Sequence, residues 1–237
     1  MDAPSKKKRP RGKLSREMIE DAAFEVIERE GLSGFSMRKL AARLGCEAMS
    51  IYHHFPSQAH LYEALVDRQM SRLVIPDDSL PWRERARIGM QEFRRVATEH
   101  PAFAPFIVVY RMNSPPCLAK LNAIIGLFED GGFGPELSAR LFRAAGYYLM
   151  GAILDETAGY AKGPSAVTTV SDEELARDYP SVVKAGAYFG SAGFDKTFEL
   201  GLEMFLDEME RVREAARDEN PLVRRAAAAD RRKQPRV

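Results

Sequence analysis

Residues 33–58 read SGFSMRKLAARLGCEAMSIYHHFPSQ and have the pattern of two short helices joined by a tight turn. Ser36 suits the N-cap of the first helix, since its hydroxyl can accept a hydrogen bond from a backbone N–H at the helix start. Leu40 and Leu44, one helical turn apart, give that helix an inner face. Gly45 follows where the chain must turn, because glycine adopts positive φ without steric cost. This pattern is typical of a helix-turn-helix that reads DNA; the alternative is an ordinary helical hairpin in an all-α core.

The second helix of the motif is predicted to have about seven residues, with Cys46 and Ile51 as its apolar anchors. Arg38 can bond bidentately to guanine or clamp a phosphate, because its guanidinium presents two parallel donors. Ala48 and Met49 offer apolar contact to thymine methyl groups. The residues predicted to contact DNA are Ser36, Arg38, Lys39, Ala48, Met49, Ser50, Tyr52, His53 and His54.

Residues 14–73 resemble the DNA-binding domain of the tetracycline repressor (TetR) family. The resemblance rests on AAFEVI at residues 22–27, EGLSGFSMRKLAARLG at 30–45 and MSIYHHF at 49–55. Family members usually place a phosphate-contacting lysine just after the recognition helix, where this chain has Ser57 and Gln58. We expect the basic N-terminal arm to compensate for that missing contact; the alternative is that the arm is only a solubilising tail.

The rest of the chain resembles the tetracycline-repressor-type C-terminal domain more loosely, through HPAFAPF at residues 100–106 and YYLMGAILDE at 147–156. The resemblance implies a homodimer that binds a palindromic double-stranded DNA operator and is released by a small-molecule effector. Two recognition helices must also reach half-sites about 34 Å apart, which is an independent reason to expect a dimer.

Charge and apolar periodicity divide the 237 residues into four parts. Residues 1–16 hold seven Lys and Arg against one Asp, and residues 211–237 hold nine against four acids, although the net charge is only +1. Segments this polar cannot pack into a core. We therefore predict a disordered basic arm at 1–14, a helix-turn-helix domain at 15–75, a ligand-binding and dimerisation domain at 76–216, and a basic tail at 217–237.

Periodicity and capping signals predict an all-α fold with no strand. Ser15 can cap the first helix, which Gly31 ends, and Ser171 opens a capping box with Glu174. Gly146 and Gly151 would permit close approach between helices. The further helices are predicted at 57–73, 82–100, 102–112, 115–130, 135–160 and 193–213, with a loop at 161–170.

Several protein classes find no support in the sequence. No apolar run reaches the roughly 18 residues of a membrane span, and no apolar segment follows the basic N-terminus as in a secretion signal. Cys46 and Cys117 form no CxxC pair, which fits a reducing cytoplasm. We expect no catalytic residues, cofactor or metal site: His53 and His54 point apart on a helix, and His60 is six residues on.

The effector pocket is expected in the C-terminal domain, where aromatic and Met residues abound. Asp155 and Glu156 follow an apolar run, so a carboxylate there would anchor a ligand or cation, or alternatively face solvent or a neighbouring arginine. Tetracycline-binding relatives use a glutamate and a histidine, where this chain has Asp155 and either Val108 or Val109, so a more apolar effector is expected. The candidate ligand-binding residues are Phe106, Tyr110, Phe128, Tyr147, Tyr148 and Asp155.

The sequence thus favours a ligand-responsive DNA-binding transcriptional repressor in the cytoplasm. An activator or an effector-independent DNA-binding regulator is the alternative within the same fold. An all-α enzyme or metal protein is the alternative from another class, and no HExxH or Glu-x-x-His pattern supports it.

Overall fold

The computed structural model describes residues 14–110, 113–158 and 170–219, and every regular element in these ranges is helical. This confirms the predicted all-α class. Most of the predicted arm (1–14), loop (161–170) and tail (217–237) lies outside the described residues, namely 1–13, 161–169 and 220–237. The helices are α1 (Arg16–Gly34), α2 (Met37–Leu44), α3 (Ala48–Tyr52), α4 (Gln58–Ser71), α5 (Trp82–Thr98), α6 (Ala104–Val109), α7 (Pro115–Asp130), α8 (Pro135–Thr157), α9 (Asp172–Asp178), α10 (Pro180–Gly186) and α11 (Phe194–Glu219).

Local capping explains where the first helices begin and end. The Ser15 hydroxyl accepts from the Met18 N–H, and the Ser36 hydroxyl accepts from the Lys39 N–H, each at 3.2 Å. Gly45 ends α2 with φ 67°, as the sequence predicted. Gly31, with φ 71° and ψ 166°, kinks α1 rather than ending it. The consequence is a last turn of α1 that continues to Gly34.

The core of α1–α4 is formed by side chains with no exposure, among them Ile19, Leu40, Ile51 and Phe55. Helix α3 has five residues instead of the predicted seven. The chain turns after Tyr52, and the Phe55 N–H donates to the Ile51 carbonyl at 2.9 Å. This turn brings the Phe55 ring into the core, which fixes the orientation of α3.

Helices α5–α8 pack around one another, and α11 lies against α5 and α8. Close approach occurs at Gly201 of α11, where an added Cβ would lie 2.8 Å from the Tyr148 ring. At Gly146 and Gly151, where close approach was expected, a Cβ would meet nothing within 4 Å in the protomer. The small residue that matters for this packing is therefore on α11.

Some helix bounds differ from the prediction for local reasons. Helix α8 ends at Thr157 because Ala158 leaves helical geometry, with φ −135°. Helix α11 continues past Arg213, whose guanidinium lies over the Trp82 ring at 5.3 Å and holds the last turns against α5. Helix α10 was not predicted, and Pro180 separates it from α9 because proline cannot donate a helical hydrogen bond.

Helix α4 belongs to both halves of the molecule. The Arg68 guanidinium pairs with Asp21 of α1 at 2.5 Å. The Tyr62 ring lies 5.5 Å from Phe35 beside α1 and 5.1 Å from Phe106 of α6, measured between centroids. A displacement of α4 would therefore disturb both units. No helix in the described ranges is both long and apolar enough to cross a bilayer.

Candidate DNA interface and ligand cavity

The exposed surface of α2 and α3 carries most of the residues predicted to contact DNA. Arg38 is exposed and forms no ion pair with any described residue. Met49 is 63% exposed and Tyr52 is 38% exposed, while His53 also faces solvent. Ala48, Ser50 and His54 are partly exposed. The exposed thioether on α3 and the guanidinium on α2 are groups suited to thymine methyls and base edges.

Lys39 differs from the other predicted contacts. Its ammonium pairs with Glu30 and donates to the Gly34 carbonyl at 2.7 Å, so it holds the end of α1 against α2. Arg43 is similarly paired with Glu25. The Ser36 hydroxyl is engaged as the N-cap of α2. Arg38 is thus the cation of α2 that has no intramolecular partner in the described ranges.

Arg16 orients the recognition helix and was missed by the sequence analysis. Its Nη1 donates to the His54 carbonyl at 2.7 Å, and its guanidinium lies 4.1 Å from the centroid of the Phe55 ring. The contact therefore ties the start of α1 to the turn after α3. No local pattern could have revealed it, because the partners are 38 residues apart in the chain.

Ser57 and Gln58, where the resemblance led us to expect a phosphate-contacting lysine, form hydrogen bonds within the protein. The Ser57 hydroxyl accepts from the His60 N–H at 3.3 Å and caps α4. Gln58 Nε2 donates to the Tyr62 hydroxyl at 2.9 Å. Both side chains thus stabilise the first turn of α4.

A cavity of about 140 Å³ lies between α4, α5, α6, α7 and α8. Its walls are almost entirely aliphatic, aromatic and thioether groups. The polar groups at the wall are the Arg85 guanidinium and the Tyr110 hydroxyl. Burial raises the pKa of the Tyr110 hydroxyl, and nearby Glu63 adds to that effect. The lining residues are Val66, Met70, Leu73, Ile75, Pro76, Arg85, Ala86, Gly89, Met90, Phe93, Ile107, Val108, Tyr110, Ile124, Leu127, Phe128, Phe142, Ala145, Gly146, Leu149 and Met150.

Two of the six candidate ligand residues, Tyr110 and Phe128, line this cavity. Phe106 instead packs in a ring cluster, 5.3 Å from Phe103 and 5.1 Å from Tyr62. Tyr147, Tyr148 and Asp155 border a separate surface hollow that also includes Tyr188, Phe189 and Phe198. They lie elsewhere because they are on the side of α8 that faces α11 and solvent.

The less exposed carboxylate near the end of α8 is Glu156, while Asp155 is exposed. The Glu156 side chain is 11% exposed and accepts from Arg94 Nε at 2.9 and 3.0 Å. Arg94 also pairs with Asp195 at 2.8 Å and lies over the Phe198 ring. Asp155 faces solvent and Glu156 pairs with an arginine. These contacts favour the interpretation in which neither carboxylate anchors a ligand. Through Glu156 and Asp195, Arg94 therefore joins α5 to α8 and α11.

The remaining lining residues were not identified from the sequence. Val66 and Met70 of α4 and Met90 and Phe93 of α5 have the spacing of ordinary core positions. Periodicity shows that such residues face inward but not whether the space they face is filled. Of the two valines considered for the histidine position, Val108 lines the cavity, while Val109 is 75% exposed.

Known proteins are similar to this chain in sequence and in fold. Residues 19–65 match the family model of bacterial regulatory proteins of the tetR family, and residues 75–213 match the tetracyclin repressor-like C-terminal domain. An HTH-type transcriptional regulator of Saccharopolyspora erythraea is 29% identical over 76% of this chain and 78% of its own length. The class C tetracycline repressor protein of Escherichia coli is 28% identical over 87% of this chain and 95% of its own.

A solved structure agrees on the fold. A TetR variant from Acinetobacter baumannii AYE in complex with minocycline superposes with a TM-score of 0.66 at 24% identity, covering 85% of this chain and 99% of that one. The two family models together span both the helix-turn-helix and the domain that holds the cavity. The chain therefore belongs to the tetR family of bacterial regulatory proteins and has a tetracycline-repressor-like C-terminal domain.

Proposed function

We propose that this transcriptional repressor binds its operator as a homodimer and is released by a small, largely apolar effector that occupies the cavity between α4 and α8. One observation carries the proposal. Helix α4 lines the cavity with Val66 and Met70 and also bears Arg68, which pairs with Asp21 of α1. An occupant that moves α4 would therefore move the helix-turn-helix.

The wall chemistry supports an apolar effector. Aromatic and thioether side chains from four helices face the cavity, and ligand sites of this kind bind mainly through apolar burial. A ligand shifts an equilibrium only through its different affinities for the two states. If 99% of the protein is in the DNA-binding state, shifting 99% of it to the released state needs a difference of about 5.5 kcal/mol between the effector's binding free energies for the two states. An effector that fits the cavity only after α4 has moved would supply it.

The DNA side of the proposal depends on the exposed edge of α2 and α3. We assign base or phosphate contact to Arg38, thymine-methyl contact to Ala48 and Met49, and contacts to phosphate oxygens to Tyr52 and His53. Ser50 and His54 are at the same edge. Lys39 is assigned a supporting role, since its ammonium is engaged with Glu30 and Gly34.

The dimer is proposed from an apolar face that the protomer leaves uncovered. Tyr147 of α8 is 63% exposed, and Leu200 and Met204 of α11 are 64% and 66% exposed. Leu200 and Met204 are one helical turn apart, so they form one stripe. Contiguous exposed apolar side chains mark interaction surfaces, and a second copy of α8 and α11 would complete a four-helix interface.

The test of effector binding uses a cavity-filling variant. An operator is first selected from random DNA with the full chain, and apolar aromatic compounds are then screened for release in a gel-shift titration. Gly146→Phe should bind the operator but lose release, because a side chain at Gly146 enters the open cavity. Gly126→Phe, which adds the same ring outside the cavity lining, should respond like the parent protein. Equal release of both variants would refute the cavity as the effector site.

The test of the dimer uses the exposed stripe. Leu200→Asp combined with Met204→Asp should yield a monomer with weakened operator binding, measured by sedimentation velocity and gel shift. Leu118→Asp on α7, which places a carboxylate at another exposed leucine (47% exposed), serves as the control. A stripe variant that sediments as the parent protein does would contradict the assignment.

A further inference from the structure

Arg85 is the charged residue of the cavity wall. Its side chain is 8% exposed, and its Nη1 donates to Asp130 Oδ2 at 2.9 Å. Its Nε is buried and has no hydrogen-bond partner among the described residues. A buried N–H without an acceptor is costly, so such a group needs a structural or ligand partner.

The charge around Arg85 constrains what that partner can be. The guanidinium is already paired with Asp130, whose side chain is 61% exposed. Asp77 is near enough that the guanidinium helps lower the pKa of that carboxyl, although its hydrogen bonds with Ser79 contribute more. Arg85, Asp130 and Asp77 together therefore carry a formal charge of −1. A carboxylate that entered the cavity would lose its hydration and find no unpaired cation to bind. A neutral carbonyl would lose less hydration free energy.

We propose that Arg85 is the polar anchor of the cavity and that its Nε donates to a neutral carbonyl oxygen at one end of an otherwise apolar effector. The inference rests on the proposed function, since it presumes that the cavity binds the effector. The carbonyl lies at the Arg85 end, and the apolar body extends towards Met90 and Phe142.

The experiment uses three probes of nearly equal size: 2-acetylnaphthalene, 2-isopropylnaphthalene and 2-naphthoate. Binding to the full chain is measured by equilibrium dialysis. The ketone should bind about tenfold more tightly than the hydrocarbon, as expected for a hydrogen bond to a charged group. It should also bind more tightly than the carboxylate. Arg85→Met should abolish the preference for the ketone and leave hydrocarbon binding within about twofold.

Two further variants isolate the role of Arg85. Arg83→Met removes a cation from the same helix that pairs with Glu203 and Asp207 outside the cavity, so it should keep the ketone preference. Asp130→Asn leaves the guanidinium in place without its partner. It should also keep the ketone preference and should tighten 2-naphthoate binding several-fold. Circular dichroism checks that each variant is folded.

The outcomes separate the anchor from the cavity. Equal binding of ketone and hydrocarbon, with both weakened by Gly146→Phe, would overturn the anchor and leave the cavity site standing. The anchor would also be overturned if Arg85→Met kept the ketone preference, or if Asp130→Asn lost it or bound 2-naphthoate no more tightly. Tightest binding of 2-naphthoate to the parent protein would overturn it as well. Failure of every probe to bind, or binding that Gly146→Phe leaves unchanged, would overturn both the anchor and the proposed effector site.

Discussion

The imidazole of His100 stacks on the ring of Phe24, with 4.0 Å between centroids and 9° between planes. Phe24 is in α1 of the DNA-binding domain, and His100 follows α5 of the larger domain. Beside the stack, the Ala102 N–H donates to the Glu28 carboxylate at 3.2 Å. The pair is thus a junction between the two domains, and one partner can take up a proton.

Acidification should weaken this junction. Burial lowers the pKa of His100, although the Glu28 and Glu99 carboxylates oppose that effect. The unfolded chain therefore binds a proton below about pH 6.5 that the folded protein resists, so stability falls as pH falls. Urea unfolding at pH 7.5 and pH 5.0 should show a smaller loss for His100→Gln than for the parent protein. An identical loss for His100→Gln and the parent protein would refute the prediction.

Gly201 should be intolerant of a methyl group. An added Cβ would lie 2.8 Å from the Tyr148 ring, and the Tyr148 hydroxyl donates to the Phe198 carbonyl at 2.5 Å. Gly201→Ala should cost about 1–3 kcal/mol of unfolding free energy, because Tyr148 must shift. Gly126→Ala, in open space on α7, should gain about 0.5–1 kcal/mol through helix propensity. Denaturant titration measures both, and a stabilised Gly201→Ala would contradict the packing argument.

Arg38 should contribute directly to operator affinity. Arg38→Ala is expected to weaken operator binding by about 1–3 kcal/mol with little change in thermal stability, because the guanidinium has no ion-pair partner in the described ranges. Arg43 is on α2 with Arg38, but its guanidinium is paired with Glu25 of α1. Arg43→Ala should therefore cost less operator affinity. Gel-shift titrations with operator and random DNA compare the two. Parental affinity of Arg38→Ala would remove Arg38 from the interface.

The basic arm should set the salt dependence of DNA binding. Removing residues 1–13 deletes six Lys and Arg residues. If they neutralise phosphates, the slope of log K against log salt should become shallower by about 0.9 per lost contact, for operator and random DNA alike. Fluorescence anisotropy at several salt concentrations measures the slope. An unchanged slope would mean that the arm does not contact DNA.

The helix-turn-helix could be predicted from sequence because its determinants are local. The Ser36 hydroxyl caps α2 by accepting from the N–H of Lys39, three residues away. Gly45 takes its positive φ because it has no Cβ, which needs no distant contact. The apolar spacing of Leu40 and Ile51 likewise identifies inward-facing positions. The all-α class and most helix starts follow from signals of the same short range.

Only the tertiary structure located the cavity and the supports of the recognition helix. Arg16 meets His54 across 38 residues, and Arg94 pairs with Glu156 across 62, so no periodicity could have linked them. Tyr147, Tyr148 and Asp155 have chemistry suited to a ligand site, yet the rotation of α8 places them at a separate hollow. Arg85 reads in sequence as one more charge on an amphipathic helix, and packing of five helices places it at the cavity wall. Spacing along a chain determines which face of a helix turns inward, but whether the space it faces is filled depends on how side chains from distant segments meet.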